Sequence, residues 1–251
     1  MAKFALGVFL AGAGAACAVV WTQKNGFKAH TRPSSAKWDS NWDHRVESKE
    51  NEKEVAEKKE KRGTTRHILL IRHGNYERNA AGEKVLTTAG RWQATLTGQR
   101  LRDLNHPYSV IYHSTMPRAA ETADLIHGTL PEIPLVSCDL LREGAPAIPD
   151  PPVSHWTPKP HEFFSDGARI EAAFRKYFYR SPPEQKHDSF EIIVCHANVI
   201  RYFVCRALQL PPEAWLRFSI GHCSVTAVTI RPNGDVSVSA LGNTAGSLVS
   251  P

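Results

Sequence analysis

The chain has 251 residues, 41% apolar and 22% charged, a globular composition that excludes a fibrous or fully disordered protein. Its formal charge is +6, but residues 1–38 supply five basic side chains (Lys3, Lys24, Lys28, Arg32, Lys37) and no acidic one, while residues 64–251 hold nineteen basic against seventeen acidic. The basic excess belongs to the N-terminus, which argues against a nucleic-acid-binding face on the main domain. The five cysteines are odd in number and form no CxxC, so neither a disulfide framework nor a structural zinc site is expected.

From Phe4 to Trp21 the text FALGVFLAGAGAACAVVW runs eighteen residues without a charge. At ~1.5 Å per residue such a helix covers roughly 27 Å, enough to cross a bilayer core, so residues 1–24 read as a targeting and transmembrane segment. A secretory signal shares the basic start and apolar centre. The absence of Asp or Glu before Asp39 favours mitochondrial import instead. Residues 25–63 read as a linker. Within it stands WDSNWD (38–43), two Trp-Asp pairs that are either a docking element or a chance cluster. The run 44–66 is of mixed charge, with no apolar face to hold a helix against anything.

From Thr64 the texture becomes strand and helix in alternation. HILLI (67–71) reads as a buried strand that ends in Arg72-His73-Gly74. A helix follows over about Thr88–Leu104, then a short strand SVIY (109–112). The next helix runs from Pro117 to His127, with Ser114 or Thr115 as its cap and Gly128 after its end. Six prolines between Pro146 and Pro160 mark an irregular stretch. Ile170, Phe174, Tyr177 and Phe178 then keep helical spacing. FEIIVC (190–195) is a second buried strand, running into His196 and a helix that carries Ile200, Phe203, Val204, Ala207 and Leu208 on one face. Pro232-Asn233-Gly234 joins a terminal hairpin. The alternation predicts one α/β domain over 64–251 with a mostly parallel sheet.

Two strands thus end in a histidine and a small residue, Arg72-His73-Gly74 and Cys195-His196-Ala197. Ligands of open α/β sheets collect beyond the carboxyl ends of the strands, so both imidazoles would face one crevice if the strands are neighbours. Small Gly74 and Ala197 let backbone approach an anion, and the helix starting near Ala197 adds free N–H donors. Arg72 and Arg118 supply guanidinium forks for phosphoryl oxygens. This inventory suits phosphoryl transfer, with His73 as nucleophile and Arg72, Arg118 and His196 as oxygen ligands. Glu143 is the proposed proton donor, with Glu77, Asp139 and Asp150 as alternatives on spacing alone. His67, His106, His113, His127, His155, His161, His187 and His222 read as ordinary. No HxH, HExxH or carboxylate cluster suggests a metal, and no cofactor is expected.

A rival reading takes Cys195-x5-Arg201 as the loop of a cysteine-dependent phosphatase. Val194 before the cysteine, Tyr202 after the arginine and no glycine between them fit that loop poorly. A phosphoglycerate mutase and a membrane-tethered phosphoprotein-binding scaffold are further alternatives.

The motifs Arg72-His73-Gly74 with Asn79, Leu86-Thr87-x-x-Gly90-x-x-Gln93-Ala94, Ser114-x-x-x-Arg118-Ala119-x-x-Thr122, Leu141-x-Glu143 and Cys195-His196-Ala197 occur in the order of the histidine phosphatase, or phosphoglycerate mutase-like, superfamily. The resemblance spans residues 66 to about 241. It implies a three-layer αβα sandwich. LLREGAP, PDPPVSHW, DGARIEAAFR and CHANVIRYFVCRAL, with the apolar N-terminus and WDSNWD, resemble the branch of mitochondrial serine/threonine protein phosphatases.

That likeness implies a metal-independent phosphatase acting on phosphoserine and phosphothreonine in proteins, held by a single-pass anchor in a mitochondrial membrane, the outer before the inner. It assigns phosphohistidine formation to His73, proton donation to Glu143, and phosphate binding to Arg72, Arg118 and His196. Asn79 touches phosphate in the mutases of the superfamily. The WDxNWD element of the branch drives assembly into active oligomers, which gives Trp38, Asp39, Asn41, Trp42 and Asp43 an oligomerisation role. Two departures stand out. Glu47-Ser48-Lys49-Glu50 has lysine where vertebrate members carry the glycine of an ESGE element, so their ubiquitin-ligase adaptor is not expected as a partner. Gly74 replaces the serine those members have after the catalytic histidine, a change expected to leave the nucleophile unimpaired.

Overall fold

The computed structural model describes residues 37–45 and 63–244. The expected segment 1–24, the stretch 25–36 and most of the charged linker lie outside the described residues. Among the described residues no helix is long and apolar enough to cross a membrane. The chain divides into two compact units between Asp39 and Ser40, inside WDSNWD. The described part of the first, residues 37–39, has no regular structure.

The second unit contains strands β1 (Arg66–Arg72), β2 (Tyr76–Arg78), β3 (Lys84–Leu86), β4 (Tyr108–Ser114), β5 (Leu135–Cys138), β6 (Ser189–Cys195), β7 (Val225–Ile230) and β8 (Val236–Asn243). Its helices are α1 (Thr88–Leu104), α2 (Pro117–His127), α3 (Pro160–Tyr177) and α4 (Ala197–Ala207). Six strands form one sheet in the order β5-β4-β6-β1-β7-β8, and β2 pairs with β3 in a separate hairpin. β5, β4, β6 and β1 are parallel, while β7 and β8 are antiparallel additions at one side.

The layers follow from strand alternation. Ile68, Leu70, Ile193 and Cys195 pack with Ile170 and Phe174 of α3 and with Ile200 and Phe203 of α4. The intervening Ile71, Ile192 and Val194 pack with Leu101 of α1 and with Ala123 and Ile126 of α2. Both faces of the central strands are therefore covered, which is why β6 reads as a near-continuous apolar run. Fully burying each of the large aliphatic side chains contributes about 1.5–3 kcal/mol relative to exposure. The three-layer αβα arrangement agrees with the expectation from sequence.

Some local features differ from it. The α2 cap is Met116, without a side-chain cap bond; Ser114 is the last residue of β4 and its hydroxyl serves the site instead. Arg66, inside the polar run 44–66, is the first residue of β1 and only 1% exposed. Its guanidinium pairs with Glu191 at 2.6 Å and lies over the Tyr179 ring at 3.7 Å, so the buried charge is fully partnered. β2, β3 and β5 are three or four residues long, too short to leave a periodic signal in the sequence.

Three residues of WDSNWD are seated on the α/β body. The Trp42 indole donates to the Gly234 carbonyl at 2.8 Å, and its ring centroid lies 6.2 Å from that of Phe174. Asp43 forms a short ion pair with Arg180, both side chains nearly inaccessible, and accepts the Arg180 backbone N–H at 2.8 Å. Asn41 Oδ1 accepts from the same guanidinium at 3.1 Å.

Candidate active site

β1 and β6 are parallel neighbours, and Arg72 is in register with Cys195. The residues that follow them must therefore emerge side by side. The His73 backbone N–H donates to the Cys195 carbonyl at 3.0 Å, and the His73 and His196 rings lie 5.1 Å apart. The two imidazoles read from the sequence as one crevice are in one crevice.

His73 is 2% exposed and held at both ring nitrogens. A carbonyl only accepts, so the 2.8 Å contact from Nδ1 to the Gly74 oxygen puts the proton on Nδ1. Nε2 carries the lone pair and accepts from Arg118 Nε at 3.1 Å. Burial, followed by the Arg118 and Arg72 charges, pushes the His73 pKa down to about 2, which keeps the ring neutral at physiological pH. His196 is fully buried, with Nε2 at 2.8 Å from Ser114 Oγ and Nδ1 without a hydrogen-bond partner. Its pKa is also lowered, by burial and then by His73, Arg118 and Arg72. His196 caps the N-terminus of α4, whose first residue is the buried Ala197. The free N–H groups of that helix end adjoin the two rings and favour an anion there.

The spaced motifs find their physical roles around this pair. Thr122 Oγ1 accepts the Gly74 N–H at 3.0 Å, so Ser114, Arg118 and Thr122 hold His196, His73 and Gly74 respectively. Gln93 accepts the Asn75 N–H at 3.0 Å, and Thr87 caps α1 by accepting the Gly90 N–H. A Cβ on Gly74 would sit 2.6 Å from the Gly90 carbonyl oxygen, so a side chain here needs the Gly90 backbone to shift.

Glu143 is the carboxyl that faces the guanidinium groups. Burial raises its pKa to about 7, against the opposing pull of Arg118, the Gly144 N–H and Arg72. Two of the three alternatives are engaged elsewhere. Asp139 accepts from Thr115 at 2.6 Å, Asp150 pairs with Arg217 at 3.0 Å on the surface, and Glu77 is exposed on β2. Asn79 lies in the β2–β3 turn, its side chain donating to Glu83 Oε2 at 3.0 Å and accepting the Glu83 N–H at 2.8 Å. Cys195 is fully buried, and burial pushes its thiol pKa far up, so no thiolate is on offer for the rival cysteine mechanism.

Two residues missed by sequence reasoning join the site. The Tyr76 and His73 ring centroids lie 5.2 Å apart in a T-shaped contact, with the Arg118 guanidinium 5.2 Å from the Tyr76 centroid. His222, read as ordinary, lies 5.5 Å from the His73 ring and contacts Arg72 at 2.9 Å. Neither follows a recognisable strand end. Only the antiparallel docking of β7 on β1 carries the segment before Val225 to the end of β1 that bears His73.

Among the described residues no group of three or more His, Cys, Asp or Glu side chains has a metal-holding arrangement. A cavity of about 410 Å³ beside α1, lined by His67, Leu69, Arg100 and Phe190 among others, contains none of the site residues.

Residues 68–146 and 150–243 match the family described as the histidine phosphatase superfamily, branch 1. The human mitochondrial serine/threonine-protein phosphatase PGAM5 is 52% identical, the alignment covering 85% of this chain and 78% of that protein. Pgam5 of Drosophila virilis, likewise described as a mitochondrial serine/threonine-protein phosphatase, is 46% identical over 97% of this chain and 93% of its own length. Among solved structures, phosphoglycerate mutase from Plasmodium falciparum superposes with a TM-score of 0.52 at 35% identity, covering 71% of this chain and 91% of the mutase. The chain belongs to the histidine phosphatase superfamily, branch 1, and within it to the PGAM5 family of mitochondrial serine/threonine-protein phosphatases.

Proposed function

We propose that this chain is a mitochondrial protein phosphatase that hydrolyses phosphoserine and phosphothreonine through a phosphohistidine at His73. The observation that carries the reading is the neutral His73 ring, its Nδ1 proton held by the Gly74 carbonyl and its Nε2 lone pair facing Arg118. A nucleophile needs that lone pair, and burial beside two arginines keeps it unprotonated.

In the proposed cycle His73 Nε2 attacks phosphorus as the bond to the serine or threonine oxygen breaks. Arg72, Arg118, His196 Nδ1 and the N-terminus of α4 bind the equatorial oxygens, where charge concentrates in the transition state. Glu143, protonated near neutral pH, gives its proton to the leaving alkoxide. The resulting carboxylate takes a proton from water, the hydroxide oxygen attacks the phosphohistidine, and inorganic phosphate leaves with His73 restored.

The segment 4–21 is proposed as a single-pass anchor in a mitochondrial membrane, the outer membrane before the inner. Self-association through WDSNWD is proposed to raise activity. The fitted seat for Trp42 and Asp43 supports this, because a second copy's motif could occupy it by exchange. Phosphoproteins are the expected partners.

A mutase reading draws on the 35% identity to the Plasmodium enzyme. One experiment separates the two: phosphate release from phosphoserine and phosphothreonine peptides, measured alongside interconversion of the two phosphoglycerates. Peptide hydrolysis without interconversion is expected, and the reverse would overturn the reading.

A further inference from the structure

His222 stands in a tight turn clamped to the end of β1. The Cys223 N–H donates to the Arg72 carbonyl at 3.0 Å, and the Arg72 N–H donates to the Ser224 carbonyl at 3.3 Å. Cys223 adopts a left-handed φ of 52°, and Ser224 Oγ closes the turn by donating to the Gly221 carbonyl at 2.7 Å. Such a conformation in a residue with a Cβ is strained, and it persists because the surrounding bonds over-determine it.

The turn delivers two acceptors to one guanidinium. Arg72 Nη1 donates to the Ile220 carbonyl at 2.6 Å, and Arg72 Nη2 contacts His222 Nε2 at 2.9 Å. A guanidinium has donors only, so His222 Nε2 must be the acceptor and the ring proton must lie on Nδ1. Arg72 Nε, by contrast, is buried and has no partner.

We propose that His222 is a positioning residue for phosphoryl transfer: as a neutral acceptor at Nε2 it works with the Ile220 carbonyl to fix the plane of the Arg72 guanidinium so that its remaining donors meet the phosphoryl oxygens. An arginine side chain otherwise samples many rotamers, and a planar fork binds a phosphoryl group well only when its plane is set. The groups facing His222 are Arg72 from β1, Arg118 from α2, Tyr76 from β2 and His73. Burial and the two arginine charges push the His222 pKa down to about 4, so the acceptor form prevails at neutral pH.

This inference rests on reading the site as one for phosphoryl transfer, and the test keeps the two apart. Turnover of phosphopeptide by the wild-type chain tests that reading. The affinity of inorganic phosphate, measured as competitive inhibition and by direct titration, tests His222. Losing a hydrogen bond to a charged group weakens an interaction by roughly 10-fold or more. His222→Leu is expected to raise both KM and the phosphate inhibition constant about 10-fold, with a smaller change in kcat. His222→Gln presents an acceptor near the position of Nε2 and is expected to restore most of the lost affinity.

Unchanged KM and phosphate affinity in a folded His222→Leu protein would overturn the proposal. So would a His222→Gln protein as impaired as His222→Leu at the same thermal midpoint. Where the leucine variant does not fold, His222→Ala takes its place. Nitrogen-15 NMR of the wild-type His222 ring supplies a readout independent of any variant: an unprotonated Nε2 is expected, and a protonated Nε2 at neutral pH would refute the assignment.

Discussion

Arg118 donates from Nε to His73 Nε2 across 3.1 Å, while Nδ1 of the same ring gives its proton to the Gly74 carbonyl at 2.8 Å. The two contacts fix one tautomer, with the lone pair on the nitrogen that faces the guanidinium. A single arginine thus binds both the resting nucleophile and, in the proposed cycle, the group it attacks.

If His73 takes the phosphoryl group, replacing it removes the covalent route altogether. His73→Ala is expected to lower kcat/KM by roughly 10³-fold or more, as loss of a nucleophile does. Rapid-quench trapping with a labelled phosphopeptide should yield an acid-labile phosphoenzyme mapping to His73. Label recovered at Cys195 would contradict this.

The raised pKa of Glu143 sets the pH dependence. A carboxyl with a pKa of about 7 holds its proton at lower pH and loses it at higher pH. Phosphoenzyme formation from alkyl phosphates, whose leaving oxygen needs a proton, should therefore slow as pH rises through about 7. Glu143→Gln should slow phosphoenzyme formation about 10²–10⁴-fold with phosphoserine peptide and much less with an aryl phosphate, whose leaving group departs unprotonated. Equal losses on the two substrates would remove Glu143 from the role of acid.

Cys195 is an ordinary core residue on this account. Cys195→Ala should cost about 1 kcal/mol of stability and leave phosphate release running. Complete inactivation of a folded Cys195→Ala protein would revive the thiolate mechanism.

Gly74 tests the crossing of backbones behind the nucleophile. Its missing Cβ leaves room for the Gly90 carbonyl, which a methyl group would meet at 2.6 Å. Gly74→Ala should destabilise the fold by about 1–3 kcal/mol, a typical cost of overpacking. An unchanged thermal midpoint would mean that the α1 N-terminus moves aside freely.

The ion pair of Asp43 and Arg180 ties residues 40–45 to the α/β body. Burial alone would raise the Asp43 pKa, but bonds from the Arg180 side chain and backbone and its charge hold the carboxyl below its usual range. The stabilisation is therefore present above the unfolded carboxyl pKa and lost as pH falls through the lower folded value. Arg180→Leu strands the carboxylate and should cost roughly 3 kcal/mol, with faster proteolysis within residues 40–45. Proteolysis at the wild-type rate would show that Trp42 alone suffices to hold the segment.

Periodicity and turn residues were enough to read β1, α1, β4, α2, β6, α4 and the β7–β8 hairpin, because each is long enough to carry an apolar repeat or is bounded by proline or glycine. The strand ends also exposed His73 and His196, since a parallel sheet delivers its carboxyl ends to one side. Other features depend on contacts between distant segments, on which local spacing is silent. Arg66 hides inside a polar run because its partner, Glu191, lies on another strand. Asn79 keeps a family spacing, but only the folded hairpin shows its side chain bridging to Glu83. Spacing alone left Asp139, Asp150 and Glu77 beside Glu143, and the family resemblance singled out Glu143; the fold sets its carboxyl within the charge field of Arg118 and Arg72. The chain by itself determined the layered α/β body and the two imidazoles at its strand ends, because burial periodicity is a local property. Only tertiary structure decided that His222 joins them, because an antiparallel strand formed more than 150 residues after β1 brings the turn before it to Arg72.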